Sequence, residues 1–246
     1  MTCAAVIPCF NEERAIGPLV LAVRQQLALV VVVDDGSNDQ TALNAKNAGA
    51  LVLCHKHNSG KGAALQTGLS HLLNFGFEWA VTLDGDGQHD PSDLPAFLQC
   101  AGQNRTLLVI GNRMPNARAM PRLRRRVNRW MSRKLSELAR RPLPDTQCGF
   151  RLIHLRTWAS LCLTARHFEV ESEMLMAFLA ARHPVEFVPV RVVAAARTSR
   201  IRPLADSLRW WRWWRNIKQI SLSSSSSKQI ADAKDSPLSH ALAQKI

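Results

Sequence analysis

The sequence predicts an α/β domain built on a mostly parallel central sheet flanked by helices. Three observations carry that prediction. Short β-rich apolar runs alternate with longer amphipathic segments, the signature of strands and helices taken in turn. Several of those runs close on carboxylates and glycines, as strands do at the ligand-binding edge of an open α/β sheet. A chain of 246 residues, 46% apolar and 21% charged, has enough material for a core that needs no disulfides.

The elements follow in order. Strand 4–8 (AAVIP) breaks at the polar cluster Asn11, Glu12 and Glu13, and helix 16–26 takes over. The run of four valines inside 29–33 reads as a strand buried on both faces. Helix 40–48 stops at Gly49, and strand 51–54 and helix 61–75 succeed it. Strand 79–83 leads into helix 91–100, whose Pro91 sits where a first-turn proline is tolerated. Strand 107–110, helix 122–140, strand 150–154, helix 171–182, strand 187–193 and helix 204–220 complete the series, with Pro203 opening the last. Residues 221–246 are Ser-rich without a sustained apolar period and read as a flexible tail. The expected division is a catalytic domain over 1–203, an interfacial helix over 204–220 and the tail over 221–246.

Lys and Arg number 32 against 19 acids, a net charge of +13 that points to a phosphate-bearing partner. The excess belongs to the second half: 113–141 carries eleven Lys and Arg against Glu137 alone. The six cysteines form no CxxC pair and read as free thiols of a reducing compartment. No signal peptide and no apolar run of spanning length is present, so the expectation is a cytoplasmic protein that touches a membrane only peripherally.

Chemistry concentrates at the strand ends. Asp84-Gly85-Asp86-Gly87-Gln88 follows strand 79–83, and two carboxylates so placed can hold a hard divalent cation, Mg²⁺ or Mn²⁺, against a diphosphate. The same turn could instead cap the helix at Pro91. Asp34-Asp35-Gly36-Ser37 closes the valine strand and can accept hydrogen bonds from a base or ribose, or serve as a turn and cap. Phe10, in the Pro8–Glu12 segment, can pack near a base. Asn58–Ala64 (NSGKGAA) lacks Walker spacing, yet a lysine at a helix N-terminus attracts anions.

Taken together, PCFNE at 8–12, DDGS at 34–37, NSGKGAA at 58–64, LDGDGQ at 83–88, GNR at 111–113, DTQCGFR at 145–151, ESEML at 171–175 and SRIRP at 199–203 resemble the family 2 glycosyltransferases of GT-A fold. Within them the likeness is to the branch of dolichol-phosphate mannose synthase and the polyprenyl-phosphate glycosyltransferases. The resemblance implies a nucleotide-sugar donor held by Pro8, Phe10, Glu12, Val33 and Asp35, with Lys61, Leu83, Asp84, Gly85 and Arg113 around it. It implies metal on Asp84, Asp86 and Gln88, phosphate contacts from Arg197 and Arg200, and an acceptor site at Gln147 and Arg151. Asp86, Arg113 and Asp145 are the expected catalytic residues.

Mechanism follows from the acceptor. A polyprenyl phosphate is already an anion, so positioning and charge neutralisation dominate, and family precedent is inversion in a single displacement. A hydroxyl acceptor such as a glycolipid would need a base, for which Asp145 is the candidate. Segment 122–140 is a basic helix candidate with Leu123, Val127, Trp130, Met131, Leu135 and Leu138 over one broad side. In 204–220, Trp210, Trp213, Trp214, Ile217 and Ile220 share an arc opposite Arg212, Arg215 and Lys218. Both favour the inner face of a membrane, with anionic headgroups as partner. Nucleic acid binding is the rival for such helices, but acidic strand ends repel a polyanion, and none is expected.

Overall fold

The computed structural model describes residues 1–104, 106–117, 120–193 and 209–215. The chain forms two units, 1–200 and 201–246.

The first unit holds seven strands: β1 (Cys3–Cys9), β2 (Val30–Asp34), β3 (Leu51–Cys54), β4 (Trp79–Thr82), β5 (Leu108–Asn112), β6 (Arg151–His154) and β7 (Val185–Pro189). Around them lie α1 (Ile16–Arg24), α2 (Thr41–Asn47), α3 (Lys61–Asn74), α4 (Leu94–Asn104), α5 (Arg122–Ala139), α6 (Leu155–Ala159) and α7 (Val170–Ala180). The strands order as β3-β2-β1-β4-β6-β5-β7 in one sheet. Every pairing is parallel except those of β6, which runs against both β4 and β5. The expected mostly parallel α/β sheet is therefore what the chain forms.

Val30 to Val33 are all fully buried, although successive side chains point to opposite faces. Both faces of the sheet centre are thus covered, with α3 packed on β1 and β2 and α4 on β5 and β6. Phe97 of α4 stacks on Phe150 at 4.2 Å between ring centroids.

The elements depart from the sequence expectation in several places. The last strand pairs over Val185–Pro189, not 187–193, because the chain then leaves the sheet and Val192 bridges His89. Helix 91–100 opens as a 3₁₀ turn at Pro91–Asp93, capped by Asp90 on the Ser92 amide at 3.0 Å, before α4 begins. Helix α6 is short and lies between the apolar runs around it, too brief for a helical period to show. On α5 the apolar residues do not share one side: Met131 and Leu135 are buried while Leu123 and Trp130 are exposed. All six cysteines are free.

In the second unit, residues 209–215 are helical. Trp210 and Trp214 stack 6.4 Å apart, one turn from each other, and the Arg215 guanidinium lies 4.7 Å over the Trp211 ring. The rest of the expected interfacial helix, the 221–246 tail, Arg197 and Arg200 lie outside the described residues. Among the described residues no helix is long and apolar enough to cross a membrane.

Candidate active site

Strand order reverses between β1 and β4, and an open sheet binds ligands at such a switch point, beyond the carboxyl ends of its strands. Register brings the motifs there. Cys9 lies beside Asp34, and Val6 beside Thr82, so the turns after β1, β2 and β4 share one edge. Because β6 runs the other way, the Thr82–Arg151 pairing carries the segment before Arg151, including Asp145, to the same edge. Arg113 arrives there from the end of β5.

Asp84 is the centre of this edge. Its Oδ1 accepts from Lys61 Nζ, and its Oδ2 faces His89 Nε2 at 3.3 Å. The Lys61 ammonium, on the first residue of α3, also meets Glu171 Oε1 of α7 at 2.5 Å. Burial opposes the charge on both partners. The mutual attraction outweighs it: Lys61 is raised above its ordinary value, and Lys61 and His89 together hold Asp84 well below the usual carboxylate range. Gly149 packs directly against Asp84, since a Cβ there would collide with the Asp84 carboxylate. Thr82 Oγ1 fixes that glycine by donating to its carbonyl at 2.7 Å.

Asp86 and Gln88 complete the turn. Asp86 Oδ1 accepts the Gln88 amide at 3.0 Å, and Gln88 Oε1 accepts Arg124 Nη1 of α5 at 2.7 Å. The Gln88 carbonyl accepts the Val193 amide at 3.0 Å, so the chain beyond β7 is strapped to this turn. Burial, and then the neighbouring Arg113, lower the pKa of Arg124. Two carboxylates and an amide oxygen are hard donors suited to Mg²⁺ or Mn²⁺. Among the described residues no three His, Cys, Asp or Glu side chains cluster as a closed metal cage.

The expected nucleotide end is tightly wired. Buried Asp35 meets His55 Nδ1 at 2.7 Å and accepts the Ser59 and Gly60 amides at 2.9 and 2.7 Å, which fixes the loop entering α3. His55 in turn reaches Thr67 Oγ1 at 3.0 Å. Asn11, in the left-handed region at φ 54°, donates its amide to Ser37 Oγ, and its side chain accepts from the Asn38 amide, each at 2.7 Å. The Glu12 amide donates to Thr41 Oγ1 at 2.7 Å. Phe10 and Glu12 are half-buried beside these turns, whereas Pro8, Val33, Leu83 and Gly85 are buried. The side chains of Val33 and Leu83 belong to the core.

Arg113 and Asp145 are joined through two side-chain hydrogen bonds, Nε to Oδ2 and Nη2 to Oδ1, each 2.8 Å. Asp145 is fully buried, and Arg113 with its own amide holds the carboxyl below its ordinary value despite that burial. Arg151 is equally enclosed, its guanidinium donating to the carbonyls of Cys148, Glu171 and Thr146 at 2.8, 2.7 and 3.0 Å. It braces three segments from within. Gln147 Nε2 donates to Ser172 Oγ at 2.8 Å.

Glu171, His89, Arg124 and His55 join this site without having been expected in it. Glu171 and His89 stand inside or beside motifs the sequence displays. Arg124 is one of seven arginines between 118 and 133, and nothing local sets it apart from the rest. Two concavities flank α3. One, of about 380 Å³, lies between α3 and the Trp158–Met174 stretch; the other, of about 720 Å³ and shallower, lies beside His55 and Thr67. Neither is lined by Asp84, Asp86 or Arg113.

The family described as Glycosyl transferase family 2 matches residues 4–156. An uncharacterised protein of Methanocaldococcus jannaschii is 31% identical over 76% of this chain and 80% of its own length. The UDP-N-acetylglucosamine–dolichyl-phosphate N-acetylglucosaminyltransferase of Methanococcus voltae is 28% identical over 76% of this chain and 84% of its own. Among solved structures, glucosyl-3-phosphoglycerate synthase of Mycobacterium tuberculosis, in complex with Mn²⁺, UDP and phosphoglyceric acid, superposes with a TM-score of 0.67 at 22% identity, covering 86% of this chain and 75% of that one. The sheet order, the acidic turn after β4 and the family match agree: the chain belongs to the family 2 glycosyltransferases and has their GT-A fold.

Proposed function

We propose that this glycosyltransferase is metal-dependent and inverting, and moves a sugar from a nucleotide-diphosphate donor to a polyprenyl phosphate at the inner face of a membrane. The observation that carries the choice of acceptor is the enclosure of Asp145. A hydroxyl acceptor needs a base, and this carboxylate is fully buried with both oxygens committed to Arg113. A phosphate acceptor needs none. The relatives named for dolichyl phosphate and dodecaprenyl phosphate support the same class.

In the proposed reaction a phosphate oxygen of the acceptor attacks the anomeric carbon. The bond from that carbon to the diphosphate breaks, and its electron pair leaves with the nucleoside diphosphate. Asp84, Asp86 and Gln88 would hold Mg²⁺ or Mn²⁺, whose charge neutralises the departing diphosphate. Lys61, locked between Asp84 and Glu171, fixes the direction of the Asp84 carboxylate. Asp35 holds the loop before α3, so that the donor meets a preset surface. The Arg113–Asp145 pair positions the end of β5 against the segment that precedes β6 and takes no proton. Arg151 acts as an internal brace for the 145–151 segment, and Gln147 is the residue assigned to the acceptor side, its Nε2 held by Thr146 Oγ1 and Ser172 Oγ.

The test is transfer by the full chain with Mn²⁺ and labelled UDP- and GDP-sugars, offered a polyprenyl phosphate, the matching polyprenol and a glycolipid. Product on the phosphate alone is expected; product on the polyprenol or glycolipid instead would overturn the reading.

A further inference from the structure

Helix α5 carries two unlike faces. Toward the domain it turns Arg124, which donates to Gln88, then Asn128, Met131, Ser132 and Leu135, all four buried. Ser132 Oγ bonds Thr146 Oγ1 at 3.1 Å and accepts the Thr146 amide at 3.0 Å, fixing the rotation of the helix. Away from the domain stand Leu123, Arg126, Trp130 and Arg133, all exposed, at spacings of three, four and three residues. Those spacings place them within one narrow arc. Leu123 is 70% and Trp130 48% exposed, and Arg122 and Arg129 flank them. Glu137, one turn beyond Arg133 and 3.3 Å from it, is the single acid of the helix.

A large aliphatic side chain and an indole alternating with arginines on one exposed stripe suit a boundary that is apolar on one side and anionic on the other. The indole sits at headgroup level, the leucine goes deeper, and the guanidiniums meet phosphates. A nucleic acid would engage the arginines but gives Leu123 no place, so the stripe favours lipid over RNA or DNA.

We propose that the outer stripe of α5, formed by Leu123, Arg126, Trp130 and Arg133, docks the protein on an anionic phospholipid bilayer, while the inner face of the same helix holds Arg124 on the catalytic turn. The inference rests on the lipid-acceptor reading only for its purpose; the surface itself is tested without acceptor. The full chain is sedimented with phosphatidylcholine vesicles, with and without phosphatidylglycerol, that contain no polyprenyl phosphate. Salt-sensitive binding that needs phosphatidylglycerol is expected. Arg126→Glu/Arg133→Glu and Leu123→Ala/Trp130→Ala should each weaken it at least about tenfold. Both variants lie outside the active-site edge, so their transfer to a short, water-soluble polyprenyl phosphate stays at the wild-type level, and their melting temperatures fall by no more than the loss of surface contacts such as the Arg133–Glu137 pair.

Unchanged vesicle affinity in both double variants overturns the proposal, as does tighter binding to RNA than to the anionic vesicles. Vesicle binding lost in the variants of a protein that glycosylates only hydroxyl acceptors would leave the docking face standing and remove the polyprenyl-phosphate reading. The two failures are therefore separable.

Discussion

Arg113 and Asp145 lie 32 residues apart in sequence and close on each other through two parallel hydrogen bonds of 2.8 Å, with both side chains buried. The fork geometry makes this a charge-assisted pair of the strong kind, and it ties the end of β5 to the segment that precedes β6. Removing one member leaves the other as a buried charge without its partner. Asp145→Asn should therefore cost about 3–5 kcal/mol of stability.

The acid limb of the stability curve reports the same pair. The Asp145 carboxyl is held below its ordinary value of 3.8, so its contribution is complete above that pH and is lost as pH falls below it toward the depressed folded value. Urea midpoints of wild type and Asp145→Asn should run parallel from pH 7 to about pH 5 and converge further down. A gap that stays constant through pH 3 would mean that the pair contributes nothing through its charge.

Lys61 stands between two carboxylates, the half-buried Asp84 and the buried Glu171. Lys61→Met removes the cation and leaves like charges facing each other, which protonation alone can relieve. In metal-free buffer the variant should melt well below wild type at pH 7, and the gap should narrow as pH falls toward 5. The direction is opposite to that of an ordinary acid-labile mutant, which makes it diagnostic. A gap that widens on acidification would show that the two carboxylates do not share the lysine.

Much of this site is legible in the sequence because its parts are local. Asp84, Asp86 and Gln88 stand within five residues directly after an apolar run, and Asp35 follows a strand of valines; composition and turn chemistry are enough to mark both. The direction of β6 is not legible, since an apolar run of four residues has the same pattern whichever way it is paired. That direction delivers Asp145 to the edge where the turn after β4 lies, as a buried ion-pair partner of Arg113. Arg124 is hidden for a related reason. Its contact with Gln88 spans 36 residues, and only the rotation of α5, set by Ser132 and Leu135, selects it from the arginines around it. Leu123 and Trp130 are apolar residues of the same helix that face away from the core, which a pattern of apolar positions cannot separate from Met131 and Leu135.

Gly149 offers a test of how narrowly Asp84 must be placed. Its φ is unremarkable for an L-residue, so alanine adds no backbone strain, yet the new methyl group would meet the Asp84 carboxylate head on. The cheapest accommodation is rotation of Asp84 away from Lys61. Gly149→Ala should lower the melting temperature, because the Lys61–Asp84 pair is strained or broken, and turnover should fall by about a hundredfold, the cost of displacing a positioned group by an ångström. Full activity would mean that Asp84 can move without consequence.

Asp86 differs from Asp84 in that no ion pair to it is found among the described residues: it is half-buried, and its Oδ1 accepts the Gln88 amide. Asp86→Ala should therefore leave the unliganded protein within about 0.5 kcal/mol of wild type. Ligand linkage is where the loss should show. For wild type, Mn²⁺ together with the correct nucleoside diphosphate at a hundred times its Kd stabilises by about 2.7 kcal/mol, and the same nucleotide with EDTA should give much less. In Asp86→Ala the difference between the Mn²⁺ and EDTA melts should vanish, together with sugar transfer. A variant that still gains thermal stability from Mn²⁺ and nucleotide would show that the cation is held without Asp86. Screening UDP against GDP in the same melts identifies the base, as the nucleotide that gives the larger Mn²⁺-dependent shift.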